Sequence, residues 1–323
     1  MILVLTTKLY EQGTAAVLDW MLFNKSRFLV VHYEDLLSKR IPYEIDILNE
    51  DILIDGVSIK KEVKVIWYRR FYLTERLFKD VRYDRITKQL EFESKSELET
   101  LVTYLRYLFK DKVHLPMKPI AGENKLIYLD LAKKAGMKCP HTIVTNSKRI
   151  LDEFYSSSEE KVISKPIYFS KYFTNGSISY SVQTTGYDGA MIGELPAYFF
   201  PTLFQQAVDS HYEVRVFYLN GRIFSTAAIY DGTDRNIDLK MNYKSDSLHW
   251  VRYQLPAELE EKIRDFMGKA DLNTGSLDFL KTSEGYCFLE VNPVGQYLAP
   301  SDYCNYYLDY EISKELDYEH KAS

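Results

Sequence analysis

Three oxygen-bearing side chains stand on two short apolar segments in the last third of the chain. Asp278 lies within residues 275–280, and Glu290 and Asn292 lie within residues 288–293. Successive side chains of a strand alternate in direction, so Glu290 and Asn292 share one face. A hairpin turn centred on Glu284 places Asp278 opposite Glu290, with Cβ atoms about 5 Å apart, where the carboxylates repel unless a cation lies between them. Two carboxylates and an amide suit magnesium, which takes its remaining ligands from nucleotide phosphates and water.

The apolar residues that flank these acids decide between two interpretations. An isolated Asp and Glu pair could lie on the solvent face of an edge hairpin, where it would need no ligand. Here Phe279, Phe288 and Val291 make both segments apolar on at least one face, so the acids belong to a core-forming sheet. Charges at such a position need a partner that offsets their desolvation, which favours the cation site.

The composition is that of an ordinary globular protein, with 46% hydrophobic and 27% charged side chains among 323 residues. No apolar segment is long enough to span a bilayer. The first residues have the pattern of a β-strand and not of a signal peptide, so we expect a cytoplasmic protein that does not enter a membrane. The net charge of −5 gives no general attraction to nucleic acid.

The three cysteines and six histidines form no catalytic or metal-binding pattern. Cys139, Cys287 and Cys304 are odd in number and lack a Cys-x-x-Cys spacing, which argues against a disulfide framework and against structural zinc. We expect buried, reduced thiols. No Gly-x-Ser-x-Gly elbow occurs either, so the sequence predicts no covalent nucleophile.

The first third of the sequence alternates short apolar strands with helices. Segments 2–5, 28–31 and 63–67 have the composition of strands, and an amphipathic helix over 15–23 lies between the first two, which is typical of a βαβ unit. A longer helix, with apolar residues at helical spacing, runs up to residue 109. We place a domain boundary near residue 115, where prolines follow.

Two arginines follow the third predicted strand. Arg69 and Arg70 come directly after Trp67 and Tyr68, at the strand end where parallel α/β units usually bind ligands. Guanidinium groups form two-point contacts with carboxylates, so these arginines are candidate receptors for the acidic side chains of a peptide. Alternatively, one arginine faces solvent and Trp67 only fills the core.

The middle of the chain contains a second α/β pattern, with a lysine at a strand end. A helix over 123–135 is followed by strands at 142–144 and 161–166, an irregular Ser-, Thr- and Gly-rich loop over 168–189, and a boundary near residue 200. Lys165 ends an apolar strand, where its ammonium group either binds an anion such as phosphate or reaches solvent past the sheet. A further amphipathic helix begins after Pro256.

The order of these features resembles the ATP-grasp superfamily over roughly residues 120–300. The matching features are, in order, Lys125 at a helix start, Lys165 on a strand, the irregular loop, the strand end at 204–208, the segment 213–216, Asp278, and Glu290 with Asn292. The resemblance implies an α/β protein with the ATP-grasp fold. It would have an N-terminal pre-ATP-grasp α/β domain at 1–115, a central subdomain at 116–200 and a C-terminal subdomain with a mixed or antiparallel sheet at 201–323.

The same resemblance implies that the chain binds ATP and two magnesium ions, and it assigns a role to each matching residue. The superfamily often carries Glu where this chain has Gln206, but the implied adenine contact runs through the backbone. The assigned residues are Lys125 and Lys165 for the nucleotide phosphates, Gln206, Ala207 and Val208 for adenine, Glu213 for the ribose hydroxyls, Arg215 for the transferred phosphate or the acyl phosphate, and Asp278, Glu290 and Asn292 for magnesium.

Three further segments resemble the ATP-grasp maturases that make graspetides, which are ribosomal peptides crosslinked through side-chain esters or amides. These segments are 65–70, 288–296 and 303–308, and the last resembles the branch called grasp-with-spasm. The wider family has an Asp-aromatic-Arg element where this chain has residues 238–240. Lys240 would therefore take the catalytic role of that arginine, with the same charge but without the two-point contact.

The resemblance implies an ATP-dependent peptide macrocyclase. It would phosphorylate an Asp or Glu side chain of a precursor peptide, made of a leader and a core, and join that side chain to a Thr or Ser hydroxyl or a Lys amine. Related maturases are commonly dimers or tetramers, so we expect a homo-oligomer. The alternatives are an ATP-grasp ligase that acts on free amino acids or a small metabolite, and a non-catalytic module that binds peptide or nucleotide.

Overall fold

The computed structural model describes residues 1–8, 11–37, 42–72, 76–78, 81–82, 84–117, 124–168, 173–175, 178–180, 182–230 and 248–322. These residues form two compact units. The first unit contains Met1–Ala121 and Tyr307–Ser323, and the second contains Gly122–Tyr306. The three-part division with boundaries near residues 115 and 200 stays a prediction.

The first unit is a parallel sheet with a small antiparallel sheet and helices around it. Its strands are β1 (Ile2–Thr6), β2 (Phe28–His32), β3 (Tyr43–Asp46), β4 (Asp51–Ile54), β5 (Val57–Ser58), β6 (Val65–Tyr68) and β7 (Val113–Leu115). Its helices are α1 (Gly13–Phe23), α2 (Arg85–Leu108) and, from the end of the chain, α8 (Leu308–Ala322), with a 3₁₀ helix at Tyr33–Leu37.

The parallel sheet has the strand order β2-β1-β6-β7. Strand β1 is apolar at almost every position and is buried along its whole length, as expected for a central parallel strand that is covered on both faces. Strands β1 and β2 run parallel with α1 between them, which confirms the predicted βαβ start. Helix α2 supplies Val102 and Leu105 to the core under the sheet.

The C-terminal helix α8 packs against α1 within the first unit. Trp20 on α1 donates a hydrogen bond from Nε1 to Asp309 Oδ2 at 2.6 Å, and its ring lies 4.9 Å from that of Tyr310. The end of the chain therefore completes the unit in which the chain begins. No helix in the described part of the chain combines the length and the apolar character that crossing a membrane requires.

In the described part of the chain, the second unit contains two larger antiparallel sheets and a two-stranded sheet of β10 and β11. Its strands are β8 (Thr142–Ser147), β9 (Val162–Lys165), β10 (Phe173–Asn175), β11 (Ile178–Tyr180), β12 (Thr185–Tyr187), β13 (Tyr198–Gln206), β14 (Tyr212–Leu219), β15 (Arg222–Tyr230), β16 (Leu248–Arg252), β17 (Thr274–Thr282) and β18 (Gly285–Asn292). Its helices are α3 (Lys125–Lys134), α4 (Lys148–Ser157), α5 (Gly189–Glu194), α6 (Ala257–Lys269) and α7 (Leu298–Cys304).

The first of these sheets has the order β12-β9-β13-β8 and rests on α4 and α5. Leu151 and Phe154 of α4 pack against Val162 and Phe204 of the sheet. The prediction of an irregular loop over 168–189 was wrong in its described parts. Strands β10 and β11 pair as a hairpin, and β12 joins the sheet beside β9, because backbone pairing outweighed the weak periodicity of these polar residues.

The second sheet has the order β16-β15-β14-β17-β18 and separates an apolar face from a polar one. Val214, Val216, Leu277 and Phe279 belong to the buried cluster that also contains the apolar face of α6. Residues that alternate with these positions point to the opposite face. Asp278 and Arg215 lie on that opposite face, so the packing of the core determines which side presents charged groups.

Candidate active site

A row of charged side chains crosses three neighbouring strands of the second sheet. Arg215 on β14 lies opposite Asp278 on β17, and Asp278 lies opposite Glu290 on β18. Directly opposed residues of antiparallel strands share a face and lie close together. The predicted pairing of Asp278 with Glu290 is therefore confirmed.

This pairing depends on a β-bulge that the sequence analysis did not predict. The hairpin closes with Thr282 opposite Gly285, so an unbroken ladder would place Asp278 opposite Leu289. The register instead shifts by one residue beside Asp278, and Glu290 takes the opposing position. A bulge of this kind redirects a side chain, and bulges are frequent beside active sites.

Each of the two carboxylates forms an ion pair with a cationic side chain. Arg215 donates from Nε to Asp278 Oδ1 at 2.7 Å and from Nη2 to Asp278 Oδ2 at 2.9 Å, the two-point geometry that arginine forms with carboxylates. Lys125, the first residue of α3, brings Nζ to 3.1 Å from Glu290 Oε2. The repulsion expected between the two carboxylates is offset by these cations, and Arg215, with only 7% of its side chain exposed, is held in a fixed position.

Asn292 lies two residues beyond Glu290, in a turn that orients its amide group. Asn292 Oδ1 accepts a hydrogen bond from the Val294 N–H at 3.2 Å, and the Gly295 N–H donates to the Asn292 carbonyl at 3.0 Å. Gly295 has a φ of 71°, and a Cβ at this position would lie 2.8 Å from the ring of Phe217. Only glycine fits this turn, which keeps Asn292 beside the carboxylates.

The donor set of Asp278, Glu290 and Asn292 fits a magnesium ion that shares its coordination with phosphate. No cluster of three or more His, Cys, Asp or Glu side chains is placed to hold a metal ion among the residues that the structure describes. Two carboxylates and an amide oxygen form an incomplete set, which suits a cation that completes its shell with phosphate oxygens and water. Their assignment as magnesium ligands stays a prediction.

Lys165 ends strand β9, as predicted, and its charge reaches the second sheet. Burial raises the pKa of the Cys287 thiol to about 12, and the Lys165 ammonium group is close enough to oppose that rise. Cys287 lies on β18, three residues before Glu290. Lys125 and Lys165 therefore both direct positive charge toward the strand that carries Glu290, an arrangement suited to a polyphosphate.

The segment proposed to bind adenine lies at the end of β13. The Gln206 N–H donates to the His141 carbonyl and the Ala207 N–H donates to the Lys161 carbonyl, both at 2.9 Å. The Val208 N–H forms no hydrogen bond within the described part of the chain. Of the three predicted positions, Val208 is thus the one whose backbone donor is available to a base.

Glu213 belongs to strand β14, and Lys240 lies outside the described residues. Glu213 lies two residues before Arg215 on β14, so its side chain belongs to the same face of the sheet, and its ribose contact stays a prediction. Lys240 lies in segment 231–247, outside the described residues, and its catalytic role likewise stays a prediction.

Arg69 and Arg70 follow strand β6 in the first unit, where both contact an acid that the sequence analysis missed. Arg69 Nη2 lies 3.1 Å from Glu11 Oε1, and Arg70 Nε lies 3.7 Å from Glu11 Oε2. Trp67 belongs to the core, as the alternative interpretation expected. Glu11 stands outside any periodic pattern, so only its position after the first predicted strand could have drawn attention to it.

An aromatic pair that the sequence analysis also missed lies on the charged face of the second sheet. Trp250 on β16 pairs with Ala228, which pairs with Glu213, so Trp250 shares the face of the charged row. Its ring stacks on Tyr303 of α7 at a centroid distance of 6.5 Å and an angle of 9°. Tyr303 remains 60% exposed. In the sequence, the resemblance of segment 303–308 to a branch of the maturases is the feature that points to Tyr303.

Comparison with known proteins gives matches among solved structures alone. No family model matches the sequence, and no curated protein matches it significantly. The macrocyclase MdnC from Microcystis aeruginosa MRC, bound with the precursor peptide MdnA, superposes with a TM-score of 0.80 at 21% identity, over 98% of this chain and 99% of that chain.

Two further ligase complexes superpose over nearly the whole chain. A Chryseobacterium gregarium RiPP-associated ATP-grasp ligase, in complex with ADP and a leader and core peptide, gives a TM-score of 0.82 at 18% identity over 100% of this chain and 97% of that chain. The ATP-grasp ligase PsnB, complexed with minimal precursor, Mg and ADP, superposes with a TM-score of 0.77 at 14% identity. The match covers 98% of this chain and 96% of that chain.

A small-molecule enzyme of related architecture is less similar. The D-cycloserine synthetase DcsG gives a TM-score of 0.55 at 13% identity, over 98% of this chain and 99% of that chain. At such identities the comparisons bear on the fold, and they agree with the sheets and helices described above. The chain therefore has the α/β ATP-grasp fold of these solved structures.

Proposed function

We propose that this protein is an ATP-dependent peptide macrocyclase that joins an Asp or Glu side chain of a precursor peptide to a Thr or Ser hydroxyl or a Lys amine. The observation that carries the proposal is the row Arg215, Asp278 and Glu290 with Lys125 beside it. This row combines acids for a metal with cations for phosphate on one sheet face. The fold shared with ligases bound to precursor peptides supports the choice of substrate.

The proposed reaction converts an unreactive carboxylate into a good acyl donor. A peptide carboxylate oxygen attacks the γ-phosphorus of ATP, the bond to the β-phosphate oxygen breaks, and ADP leaves an acyl phosphate on the peptide. A hydroxyl or amine of the same peptide then attacks the acyl carbon, loses its proton and releases inorganic phosphate. The peptide loses one water for each bond formed, while ATP becomes ADP and phosphate.

The residues of the chain would hold and neutralise the reacting phosphates. Asp278, Glu290 and Asn292 would hold magnesium, which supplies Lewis-acid polarisation of the phosphoryl oxygens when bound. Lys125 and Lys165 would bind the nucleotide phosphates, and Arg215 would stabilise charge on the transferred group. Such positioned cations act without covalent chemistry from the protein.

The cysteines are poorly suited to act as nucleophiles. Burial raises the pKa of Cys139 to about 11 and that of Cys287 to about 12, and it also raises the pKa of Cys304. A thiol attacks as the thiolate, so all three groups are unreactive at neutral pH. This favours direct transfer from an acyl phosphate over an enzyme thioester.

The partner in this proposal is a ribosomal precursor peptide, with a leader and a core that contains Thr or Ser and Asp or Glu. MdnC and PsnB were solved with precursor peptides, and their resemblance to this chain supports the same class of partner here. Lys240, Arg69 and Arg70 would act on that peptide. A homo-oligomeric state and a cytoplasmic location remain expectations.

The alternative function is ligation of free amino acids or a small metabolite. The lower TM-score of DcsG, 0.55 against 0.80 for MdnC, favours the peptide ligase. A non-catalytic binding module is disfavoured because Asp278, Glu290 and Asn292 are all present on one face of the sheet.

The nucleotide contact gives a prediction for Gln206. If adenine binds the backbone at the end of β13, we expect Gln206→Ala to change the KM for ATP by less than about threefold, or about 0.65 kcal/mol. Lys165→Ala, which removes a phosphate contact, serves as the comparison and should raise that KM more. Steady-state ADP release measures both. An increase above about tenfold for Gln206→Ala would place its side chain in the adenine site.

The direct test of the function is the intact mass of a candidate peptide. The protein is incubated with ATP, magnesium and the peptide encoded by a small reading frame beside its gene, rich in Thr with Asp or Glu. We expect stepwise losses of one water that require ATP. An unchanged peptide mass, together with ATP consumption in the presence of free amino acids, would instead support the small-molecule ligase.

A further inference from the structure

A short antiparallel hairpin of the first unit presents two adjacent apolar side chains to solvent. Strands β3 and β4 pair up to Asp46 and Asp51, so residues 47–50 form the connecting loop. Ile47 and Leu48 in this loop are 72% and 92% exposed, and together they form the hairpin tip. Neighbouring exposed apolar side chains need an explanation more than single ones do, because such patches mark interaction sites.

The hairpin tip is held in one conformation by the residues around it. Ile52 on β4 is buried in the core of the unit, which anchors the base of the hairpin. The Asn49 N–H donates to Asp46 Oδ1 at 3.0 Å, and Asn49 Nδ2 donates to Asp46 Oδ2 at 2.6 Å. Because the turn is ordered before a partner binds, association would lose little conformational entropy there.

Side chains of the parallel sheet and of the last turn of α2 line an apolar pocket in the same unit. Its volume is ≈ 290 Å³, and its apolar walls include Leu5, Ile66, Leu105 and Met117. Clefts that hold drug-sized ligands measure about 300–1,000 Å³. The pocket therefore has room for one or two aliphatic side chains.

The hairpin and the pocket carry opposite charges. Residues 43–55 contain no Lys, Arg or His, and their acids are Glu44, Asp46, Glu50, Asp51 and Asp55. Glu50 pairs with Lys60 at 3.4 Å, and the other acids keep the hairpin negative. The described residues that line the pocket include Arg106 and Lys110 but no acid. Complementary charges of this kind orient two surfaces as they meet.

The hairpin loop and the pocket are neighbours on one surface of the unit. The pKa of Lys110 lies above its ordinary value, chiefly because of a hydrogen bond with Tyr107 and to a smaller extent because of the charges of Asp111 and Glu50. Glu50 in the loop is thus near Lys110 at the pocket, whereas the exposure of Leu48 shows that the hairpin tip does not fill the pocket of its own chain. A two-fold axis brings such adjacent features of two copies together reciprocally.

We propose that two copies of this chain associate through a two-fold interface in which the hairpin tip of each copy enters the apolar pocket of the other. The acids of the hairpin would lie against Arg106 and Lys110 of the second copy. This inference goes beyond the proposed function and does not depend on it. The competing explanations are a tip without a partner and a pocket that receives a side chain of the peptide substrate.

Sedimentation equilibrium of the full chain measures this association. We expect a wild-type dimer, and we expect Leu48→Glu to raise its Kd at least about a hundredfold, because each dimer would lose two buried leucines that contribute about tenfold or more each. Leu90→Glu is the matched control, since Leu90 is 54% exposed and lies about 24 Å along α2 from Arg106. The control should associate as the wild type does.

Crosslinking between two singly substituted chains identifies what enters the pocket. Chains with Leu48→Cys are mixed with chains with Met117→Cys and treated with a short bismaleimide. We expect a dimer in which mass spectrometry of the digest finds the two introduced cysteines joined. Leu90→Cys in place of Leu48→Cys should give no link above the background of the wild-type cysteines.

Three results would overturn the proposal. They are a monomeric wild-type protein, a dimer whose Kd Leu48→Glu leaves unchanged, and equal crosslinking of Met117→Cys to Leu90→Cys and Leu48→Cys. A monomeric wild-type protein whose binding of precursor peptide is weakened by Met117→Glu would assign the pocket to the peptide instead. If Leu48→Glu does not fold, the crosslinking result decides.

The mass assay for cyclisation keeps this inference separate from the proposed function. Cyclisation by a monomeric wild-type protein would reject the interface and leave the macrocyclase intact. A reciprocal dimer that changes no peptide mass would support the interface and count against the macrocyclase.

Discussion

Replacing Glu290 with glutamine should reduce ATP-dependent peptide cyclisation by at least about a thousandfold, equivalent to about 4 kcal/mol of transition-state stabilisation. Glutamine keeps the size of the side chain and removes its charge. The variant would lose one of the two carboxylates that would hold magnesium, and with it the charged partner that lies 3.1 Å from Lys125 Nζ. Water loss from the peptide and ADP release, each followed at several magnesium concentrations, measure the effect.

The matched control for this variant is Glu284→Gln. Glu284 belongs to the same hairpin and also forms an ion pair with a lysine, Lys138, but its side chain is 77% exposed in the turn. An exposed pair of this kind contributes little to stability, so we expect wild-type turnover and a similar unfolding temperature. Retention of more than about a tenth of wild-type turnover by Glu290→Gln would contradict its assignment as a metal ligand.

The pairing of Asp278 with Glu290 could be predicted because it depends on local information. Two apolar segments separated by a short turn form a hairpin, and the alternation of side chains fixes which residues share a face. The bulge could not be predicted, because a shift of one residue leaves the composition of both strands unchanged. Asp278 lies opposite Glu290, as predicted, although strand β18 contains an additional residue, Leu289, between the residues that face Asp278 and Phe279.

The partners of these acids depend on contacts between residues that are distant in the sequence. Arg215 and Asp278 are 63 residues apart, and nothing in either segment specifies that β14 and β17 are neighbours. The resemblance placed both residues in one site but assigned Arg215 to phosphate, whereas its two-point contact is with Asp278. The same limit explains why Glu11, 58 residues from Arg69, was missed.

Some of the elements that were missed have weak periodicity, and one has a clear pattern. Strands β3, β4 and β5 are short and partly exposed, so their sequences lack the strict alternation that indicates a half-buried strand. Helix α8 has a clear amphipathic pattern, with Leu308, Ile312 and Leu316 buried. Its packing against α1 is a contact between segments that are distant in the sequence, and no local pattern shows which two helices pack together.

The contact between Arg215 and Asp278 leads to the second large expected effect. Arg215→Lys keeps the positive charge on β14 but replaces the two-point contact with a single-point one. We expect the rate of cyclisation at saturating ATP to fall by about a hundredfold, the scale seen when one preorganised donor is removed from a charged transition state. The magnesium concentration that gives half-maximal rate should also rise, because Asp278 would no longer be held in one orientation.

Magnesium dependence is the observation that connects Arg215 to Asp278 and not to phosphate alone. A guanidinium that acted only on the transferred phosphate would change the maximal rate and leave the magnesium requirement as it is. Arg264→Lys is the control, since Arg264 is a half-exposed arginine on α6 that pairs with Glu260 in the same unit. A maximal rate for Arg215→Lys within about threefold of the wild type would show that neither role requires the two-point contact. A lower rate with a raised magnesium requirement would indicate that Arg215 acts on catalysis through the orientation of Asp278.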